Sequence, residues 1–455
     1  MRIKNRLVRF IGVLAVLFII GGCLTTDYYY DFLRMNLIKG IQEFSSIPYP
    51  RTKFIVLSDL HYYDPSLGTT GKALDKYLQQ DRKLLVESSE ILESAVDSIV
   101  RDTADFVLVC GDLTKDGELI DHYRVIQYLK KIEESGKKVY VIPGNHDLLN
   151  CEAYRYSGDK TEPVSQITPE DFRILYNDFG YAEALARDSN SLSYVAEPVP
   201  GLWLLALDGC QYLRNKPGHE SPVGGALSHT TEMWLLQVLK EALQQKKAVI
   251  ALIHHGILEH FPTEGKYFGE YLLSDREPVS IFFIYYNVKC VFTGHFHAQD
   301  IAEEKYPGGK FLFDIETGSL VTYPSPFRKV EITADQKMHI RTKHVTAIRS
   351  HPDDFPAYER EYTRQGVKNI ALGLLRRFHI TTYNAPYLAA KVADIFLANY
   401  GGDENAAADI PDISSAGCLG GVMIAYSKDL LNGLARDPEP PDNNLVIDLN
   451  DGRWQ

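Results

Sequence analysis

The chain has 455 residues, 45% hydrophobic and 24% charged, an ordinary globular composition long enough for two or three domains. That composition excludes a collagen-like, wholly disordered or polytopic membrane protein. Forty-eight Lys and Arg against 60 Asp and Glu leave a net charge of −12, so the chain lacks the diffuse positive field that supports binding to a nucleic-acid polymer.

The N-terminus reads as an address. Arg2, Lys4, Arg6 and Arg9 precede an apolar run from Phe10 to Ile20. A run this short suits a signal-peptide core better than a membrane span. Ile20-Gly21-Gly22-Cys23 resembles a bacterial lipobox. That resemblance implies a leader over residues 1–22 and lipidation of Cys23, with an uncleaved signal anchor as the alternative. Residues 23–50, rich in tyrosine at Tyr28–Tyr30, would be a juxtamembrane segment. Either route predicts an extracytoplasmic protein tethered to the bacterial cell membrane. Removing residues 1–22 takes away four cations and no acids, moving the net charge from −12 to −16.

From residue 51 the pattern is α/β. Apolar runs at Phe54–Leu57, Phe106–Cys110, Val139–Ile142, Trp203–Leu207, Ala248–Ile253 and Val288–Thr293 suit strands covered on both faces. Between them, Gln80–Arg101, Leu119–Glu134 and Met233–Leu243 carry apolar residues at helical spacing, the last after a cap-like start at Ser228. Lys329–Ile332 and Lys337–Val345 read as a closing hairpin. The expected catalytic unit is 51–348. Beyond it, 349–455 reads as mostly helical, with helices over Tyr358–Phe378, Pro386–Tyr400 and Cys418–Ala435 and a final strand-like stretch at Leu445–Leu449. Six cysteines in so long a chain do not make a disulfide framework. Cys110, Cys210 and Cys290 read as buried small hydrophobes.

Five of the apolar runs are followed at once by metal-ligand residue types. They are Ser58-Asp59-Leu60-His61, Gly111-Asp112-Leu113-Thr114, Pro143-Gly144-Asn145-His146-Asp147, His254-His255-Gly256 and Gly294-His295-Phe296-His297. Ligands of α/β sheets bind beyond the carboxyl ends of strands, where all five clusters fall. In extended chain, residues two apart point the same way, so Asp59 with His61, and His295 with His297, can face one site. Carboxylate oxygens mixed with imidazole suit Mn, Fe or Zn. Two such ions bridged by one carboxylate stand roughly 3.5–4 Å apart and can activate a water against a phosphorus centre. Asp-x-His alone carries no information, since roughly one is expected by chance in a chain of this size. The five clusters in order, each after a strand, are a different matter.

The ordered set resembles the calcineurin-like metallophosphoesterase superfamily over about residues 53–345. More loosely, the lipoprotein-like start and the helical C-terminal region are similar to secreted bacterial cyclic-nucleotide-phosphodiesterase-like proteins. The superfamily resemblance implies a four-layer α/β sandwich of two mixed sheets flanked by helices. It implies that Asp59, His61 and His297 hold one metal, that Asp112 bridges, and that Asn145, His254 and His295 hold the second. Gly256 stands where the family usually has proline, two after the ligand, which favours His254 over His255. The resemblance further implies His146 as proton donor to the leaving group, oriented by Asp147, with a hydroxide bridging the metals as nucleophile.

Outside the motifs the sequence leaves alternatives open. His255 and His260 are candidates for the pocket wall, with Phe261 and Tyr267 as a stacking surface, against a packed loop. The cations of Lys72–Arg82 either meet phosphate or lie on an amphipathic helix face. Arg360, Arg364, Lys368, Arg376 and Arg377 read as a solvated helix face, with anionic lipid as the alternative. The function expected is hydrolysis of a small phosphoester with two divalent or trivalent metal ions, a nucleotide-like diester first. The alternatives are a phosphomonoesterase or nucleotidase at the cell surface, and a surface interaction protein with a structural metal site.

Overall fold

The computed structural model describes residues 47–377, 385–402, 429–436 and 439–455. The leader, Cys23, Cys418 and most of the helix expected over Cys418–Ala435 lie outside them.

Three strands open the fold, β1 (Thr52–Leu57), β2 (Phe106–Val109) and β3 (Lys138–Val141), and their apolar residues are almost wholly buried. They pair in parallel, with Phe54 opposite Phe106 and Val107 opposite Val139. Parallel pairing needs long crossovers. These are α1 (Lys72–Leu78) and α2 (Ser88–Val100) before β2, and α3 (Leu119–Glu134) before β3. In α3, Val125, Ile126, Leu129 and Ile132 are buried at three- and four-residue spacing, which turns one stripe to the core.

A small hairpin of β4 (Tyr154–Ser157) and β5 (Lys160–Pro163) and the helix α4 (Pro169–Leu175) lead to the second sheet. That sheet is built from β6 (Ala186–Arg187), β7 (Tyr194–Val199) and β8 (Leu202–Leu207), then α5 (His229–Gln244), β9 (Ala248–Ile253), α6 (Glu264–Tyr267), α7 (Arg276–Tyr285), β10 (Cys290–Thr293), β11 (Asp300–Tyr306) and β12 (Lys310–Glu316). The hairpin of β13 (Pro326–Ile332) and β14 (Lys337–His344) returns to the first sheet, Val330 opposite Ile340. Then follow α8 (Phe355–Arg377), α9 (Ala385–Gly401) and β15 (Asn444–Asp448).

The first sheet has the strand order β15-β14-β13-β1-β2-β3, and the second β11-β12-β10-β9-β8-β7-β6. Both are mixed, and they face each other across one core. Strand β9 shows why a continuous apolar run is needed there. Ala248, Ile250 and Leu252 join the main core shared with the first sheet, where Phe54 meets Phe292 edge to face at 5.3 Å. Val249, Ala251 and Ile253 turn the other way, onto Leu235 and Leu239 of α5 and Phe283 of α7. Each such side chain contributes about 1.5–3 kcal/mol by leaving water. The molecule is the four-layer α/β sandwich expected, with helices outside both sheets and a helical region after them.

One expectation changes and another gains its partner. The helix read from Gln80 starts only at Ser88. The Asp81 carboxylate accepts the backbone N–H of Arg82 at 2.6 Å and of Lys83 at 3.0 Å, a local turn that competes with helix. The strand-like stretch expected at Leu445–Leu449 is strand β15. Met338 of β14 pairs with Ile447 of β15, and Leu445, Ile447 and Leu449 fill the main core, so this apolar stretch completes the first sheet. Among the described residues no helix is long and apolar enough to cross a membrane, and Cys110, Cys151, Cys210 and Cys290 are free thiols. Cys110 and Cys290 are buried, whereas Cys210 is half-buried.

Candidate dimetal active site

The five clusters leave the carboxyl ends of β1, β2, β3, β9 and β10, and the two sheets bring those ends to one edge. The backbone there is not the extended chain that the spacing suggests. Asp59, His61, Asp112, His295 and His297 all lie in the left-handed region, with φ of 51°, 35°, 49°, 78° and 73°. Non-glycine residues rarely adopt it, and such strain gathers at functional sites. Each loop therefore turns sharply as it leaves its strand. Two glycines let the loops close together. A Cβ at Gly294 would lie 1.9 Å from the Ser58 hydroxyl and 2.6 Å from Asp59 Oδ2, and one at Gly144 would lie 2.0 Å from Asp112 Oδ1.

Two groups of donors result. Asp59, His61 and His297 form one, and Asp112, His254 and His295 the other; Asp112 also joins His61 and His146 in a third. In the first, Asp59 Oδ1 is 3.3 Å from His297 Nε2, which is 3.1 Å from His61 Nε2. In the second, His254 Nε2 is 3.4 Å from Asp112 Oδ2 and 3.2 Å from Asn145 Oδ1. Asp112 Oδ2 is also 3.6 Å from His61 Nε2, so one carboxylate oxygen lies between the two groups.

The donors fit metal ions. Asp59 Oδ1 and His295 Nε2 are fully buried with no hydrogen-bond partner, a costly state for a polar atom without a ligand. His254 Nδ1 lies 2.7 Å from the Cys110 carbonyl, which can only accept, so Nδ1 carries a proton and Nε2 is the nitrogen turned to the site; burial works against a charged ring, but Asp112 outweighs it and lifts the ring to about 9, so a metal ion would displace the Nε2 proton. Burial depresses His61 and His295 well below the usual imidazole range, and burial with the Arg82 charge takes His297 to about 4. Neutral rings are the metal-binding form. Burial alone would raise Asp112, but His254 and then His146 hold its carboxyl well below the usual range.

A family model for the calcineurin-like phosphoesterases matches residues 52–299. The chain belongs to this family. No curated protein matches the chain. Among solved structures, a dimetal phosphatase from Danio rerio is 17% identical with a TM-score of 0.46, covering 66% of this chain and 98% of its own. A purple acid phosphatase from yellow lupin is 12% identical with a TM-score of 0.40, covering 66% and 53%. A 5'-nucleotidase precursor from Thermus thermophilus is 12% identical with a TM-score of 0.34, covering 72% and 59%. The family and the donor clusters together support a dimetal centre in this phosphoesterase.

The residue beside His146 differs from the one expected. Asp147 turns away, accepting the backbone N–H groups of Leu113, Thr114 and Gly144 and the Thr114 hydroxyl. Burial, with Asp112 nearby, lifts its carboxyl to about 6. It braces the second and third loops. His146 Nδ1 instead lies 2.8 Å from Asp116 Oδ1, and its Nε2 is 4.0 Å from Asp112 Oδ2. Burial works against the charged His146 ring, but Asp112 foremost and then Asp116 outweigh it and raise the ring. Asp116 is paired with the fully buried Lys115, which also reaches Glu118 at 3.0 Å. Asp116 stands four residues after Asp112, and that spacing was the available signal.

The wall of the phosphoesterase pocket also differs. Phe261 is 2% exposed and packs with Phe268 and Phe296 inside an apolar cluster, so it offers no stacking face. Tyr271, not Tyr267, is the tyrosine beside the donors, its ring 4.7 Å from that of His295. The Tyr267 hydroxyl accepts from Lys266 at 2.8 Å. His255 points Nε2 at the Val223 carbonyl, 2.9 Å away, with its ring 4.5 Å from His295. His260 is buried among acids, 2.8 Å from Asp300 and 3.5 Å from Asp314. From the cationic stretch, Arg82 reaches the centre, with Nη2 3.4 Å from His297 Nδ1.

Proposed function

We propose that this phosphoesterase hydrolyses a small, nucleotide-like phosphodiester, with Mn, Fe or Zn ions in the dimetal centre. The observation that carries the reading is Asp112 Oδ2 standing between two donor groups with His146 beside it. Asp59, His61 and His297 would hold one ion, Asn145, His254 and His295 the other, and Asp112 both. Bound there, the ions supply an activated water and charge for the phosphoryl oxygens. The remaining work falls to the chain. Asp116 fixes the His146 ring through Nδ1, leaving Nε2 to face the site and to give a proton to the departing alkoxide. The Tyr271 ring beside His295 offers a face for a base or other organic group.

Hydrolysis of bis-p-nitrophenyl phosphate over mono-p-nitrophenyl phosphate by metal-loaded protein tests this reading. Asp112→Ala and His254→Ala keeping full activity overturns it. A monoesterase is the second reading, favoured by the Arg82 guanidinium beside His297, a charge more useful to a dianion. Turnover of no phosphoester at all by the metal-loaded protein would leave the structural-metal role. We also propose that the protein acts outside the cytoplasm, tethered through Cys23. Incorporation of labelled palmitate that Cys23→Ser abolishes is the expected result.

A further inference from the structure

We infer that Arg82 is an anchor for substrate charge, built by helices α8 and α9, and that it takes an anionic phosphoryl oxygen beyond the two that a pair of metal ions can hold. The inference rests on the phosphoesterase reading and deepens it.

Arg82 is placed for this by the loop that broke the expected helix. Its Nη2 lies 3.4 Å from His297 Nδ1, on the outer side of the first donor group. Its Nε is buried and has no hydrogen-bond partner. Among the described residues, no carboxylate oxygen lies within 4.0 Å of its guanidinium, whereas the neighbouring Lys83 faces Asp81 at 3.6 Å. Burial opposes the Arg82 charge, and Tyr400, Tyr271 and Asp81 outweigh that cost without a carboxylate in contact, so the guanidinium stays charged with donors left for an arriving anion.

The helices after the sandwich fix it there. The Arg82 guanidinium carbon stands 5.6 Å from the centre of the Tyr400 ring of α9, a cation–π contact. Gly366 of α8 allows the close approach, since a Cβ there would lie 2.8 Å from Arg82 Cα and 2.5 Å from the Asp81 carbonyl oxygen. Phe296, between the two metal-loop histidines, packs in one apolar cluster with Val367 of α8 and Tyr400. These helices lie beyond residues 52–299, the span of the family match. Arg82 itself lies within that span, and the elements that hold it come from outside it.

The chemistry follows from counting oxygens. A phosphodiester has two non-bridging oxygens, and two metal ions can take both. A monoester dianion, or an ester with a neighbouring phosphate, has a further anionic oxygen. The planar fork of Arg matches it and gives charge-assisted hydrogen bonds. Arg82 thus sets how far the site accepts substrates more highly charged than a simple diester.

The test uses the full chain loaded with metal. Arg82→Gln and Arg82→Lys are compared with wild type by calorimetric titration with inorganic phosphate, by metal content, and by kcat/KM on mono- and bis-p-nitrophenyl phosphate. For Arg82→Gln the expected result is phosphate binding weakened about tenfold or more, and a mono-to-bis activity ratio lowered about tenfold, with metal content kept. Arg82→Lys, which keeps the charge but not the fork, should recover part of both. Tyr400→Ala should move both readouts the same way by less. Phosphate affinity that does not change, or equal losses on the two esters, overturns the assignment. Failure of the phosphoesterase reading looks different: wild type would hydrolyse neither ester, and the phosphate titration alone would then decide for or against Arg82.

Discussion

Asp116 Oδ1 lies 2.8 Å from His146 Nδ1, and this contact fixes which ring nitrogen faces the dimetal centre. Asp116 is held in turn by Lys115, buried against the Tyr77 ring at 4.8 Å. Asp116→Asn should therefore lower kcat by about 100-fold with little change in KM, since proton transfer by a positioned group is worth at least that much. Metal content should stay as in wild type. Steady-state kinetics with mass-spectrometric metal analysis checks this, and a kcat within threefold of wild type refutes the role.

Asp112 is the carboxylate shared by the donor groups. Asp112→Asn should leave fewer than two ions per chain and cut phosphoesterase activity by at least about 100-fold. Asp147→Asn should act differently. It replaces one of the two oxygens that between them accept three backbone N–H groups by an NH2 that can only donate, so the loss should appear first as a lower melting temperature. A matched series of the two variants separates the roles.

Gly294→Ala drives a methyl group onto the Ser58 hydroxyl and Asp59 Oδ2, so these two side chains must shift away from the first donor group. Expected are about 1–3 kcal/mol of destabilisation and loss of metal at the first donor group. Urea unfolding and metal content measure the two effects. A variant as stable and as metal-rich as wild type would contradict the geometry.

Metal removal should both silence and soften the protein. The unpartnered Asp59 Oδ1 and His295 Nε2 gain ligands only from a bound ion. An ion present at 100 times its Kd stabilises by about 2.7 kcal/mol, so chelation should lower the melting temperature along with activity. Adding back Mn, Fe and Zn singly should restore both, and the most effective ion identifies the native pair.

A separate pH effect is expected from the acidic nest around His260. Burial on its own would depress this ring, but Asp300 and then Asp314 drive it well above 6.5. A raised folded value means that its contribution is complete below the unfolded value of about 6.5 and is lost as pH rises from there through the higher folded value. Glu264 has the same sign, because burial pushes it to about 7 and its ionisation opposes folding. The melting temperature should fall from pH 6 to pH 9, and His260→Gln should lie lower at pH 6 and show a flatter slope. A melting temperature that rises over this range refutes the account.

The donors were legible because each follows an apolar run, and parallel strands carry their carboxyl ends to one edge whatever the loops do. The left-handed backbone at Asp59 and His297 was not legible, as composition gives no sign of it. Nor was the choice between Asp116 and Asp147, two acids near one His, since loop geometry alone decides it. Phe261 read as a pocket residue because it lies near a motif in sequence. In space it faces the hydrophobic side of α9, and that packing is non-local. The turn at Asp81 was hidden for a related reason, its short side chain overriding an otherwise helical pattern.

Strand β15 sets the order in which this molecule can be finished. It pairs with β14 only after α8 and α9 have been made, and Asp442, just ahead of it, receives Arg328 from the buried centre through its carbonyl. During synthesis the motif strands all emerge well before the elements that seal the first sheet and steady Arg82. A nascent chain therefore carries all its metal donors before the elements that complete the first sheet and steady Arg82 are made.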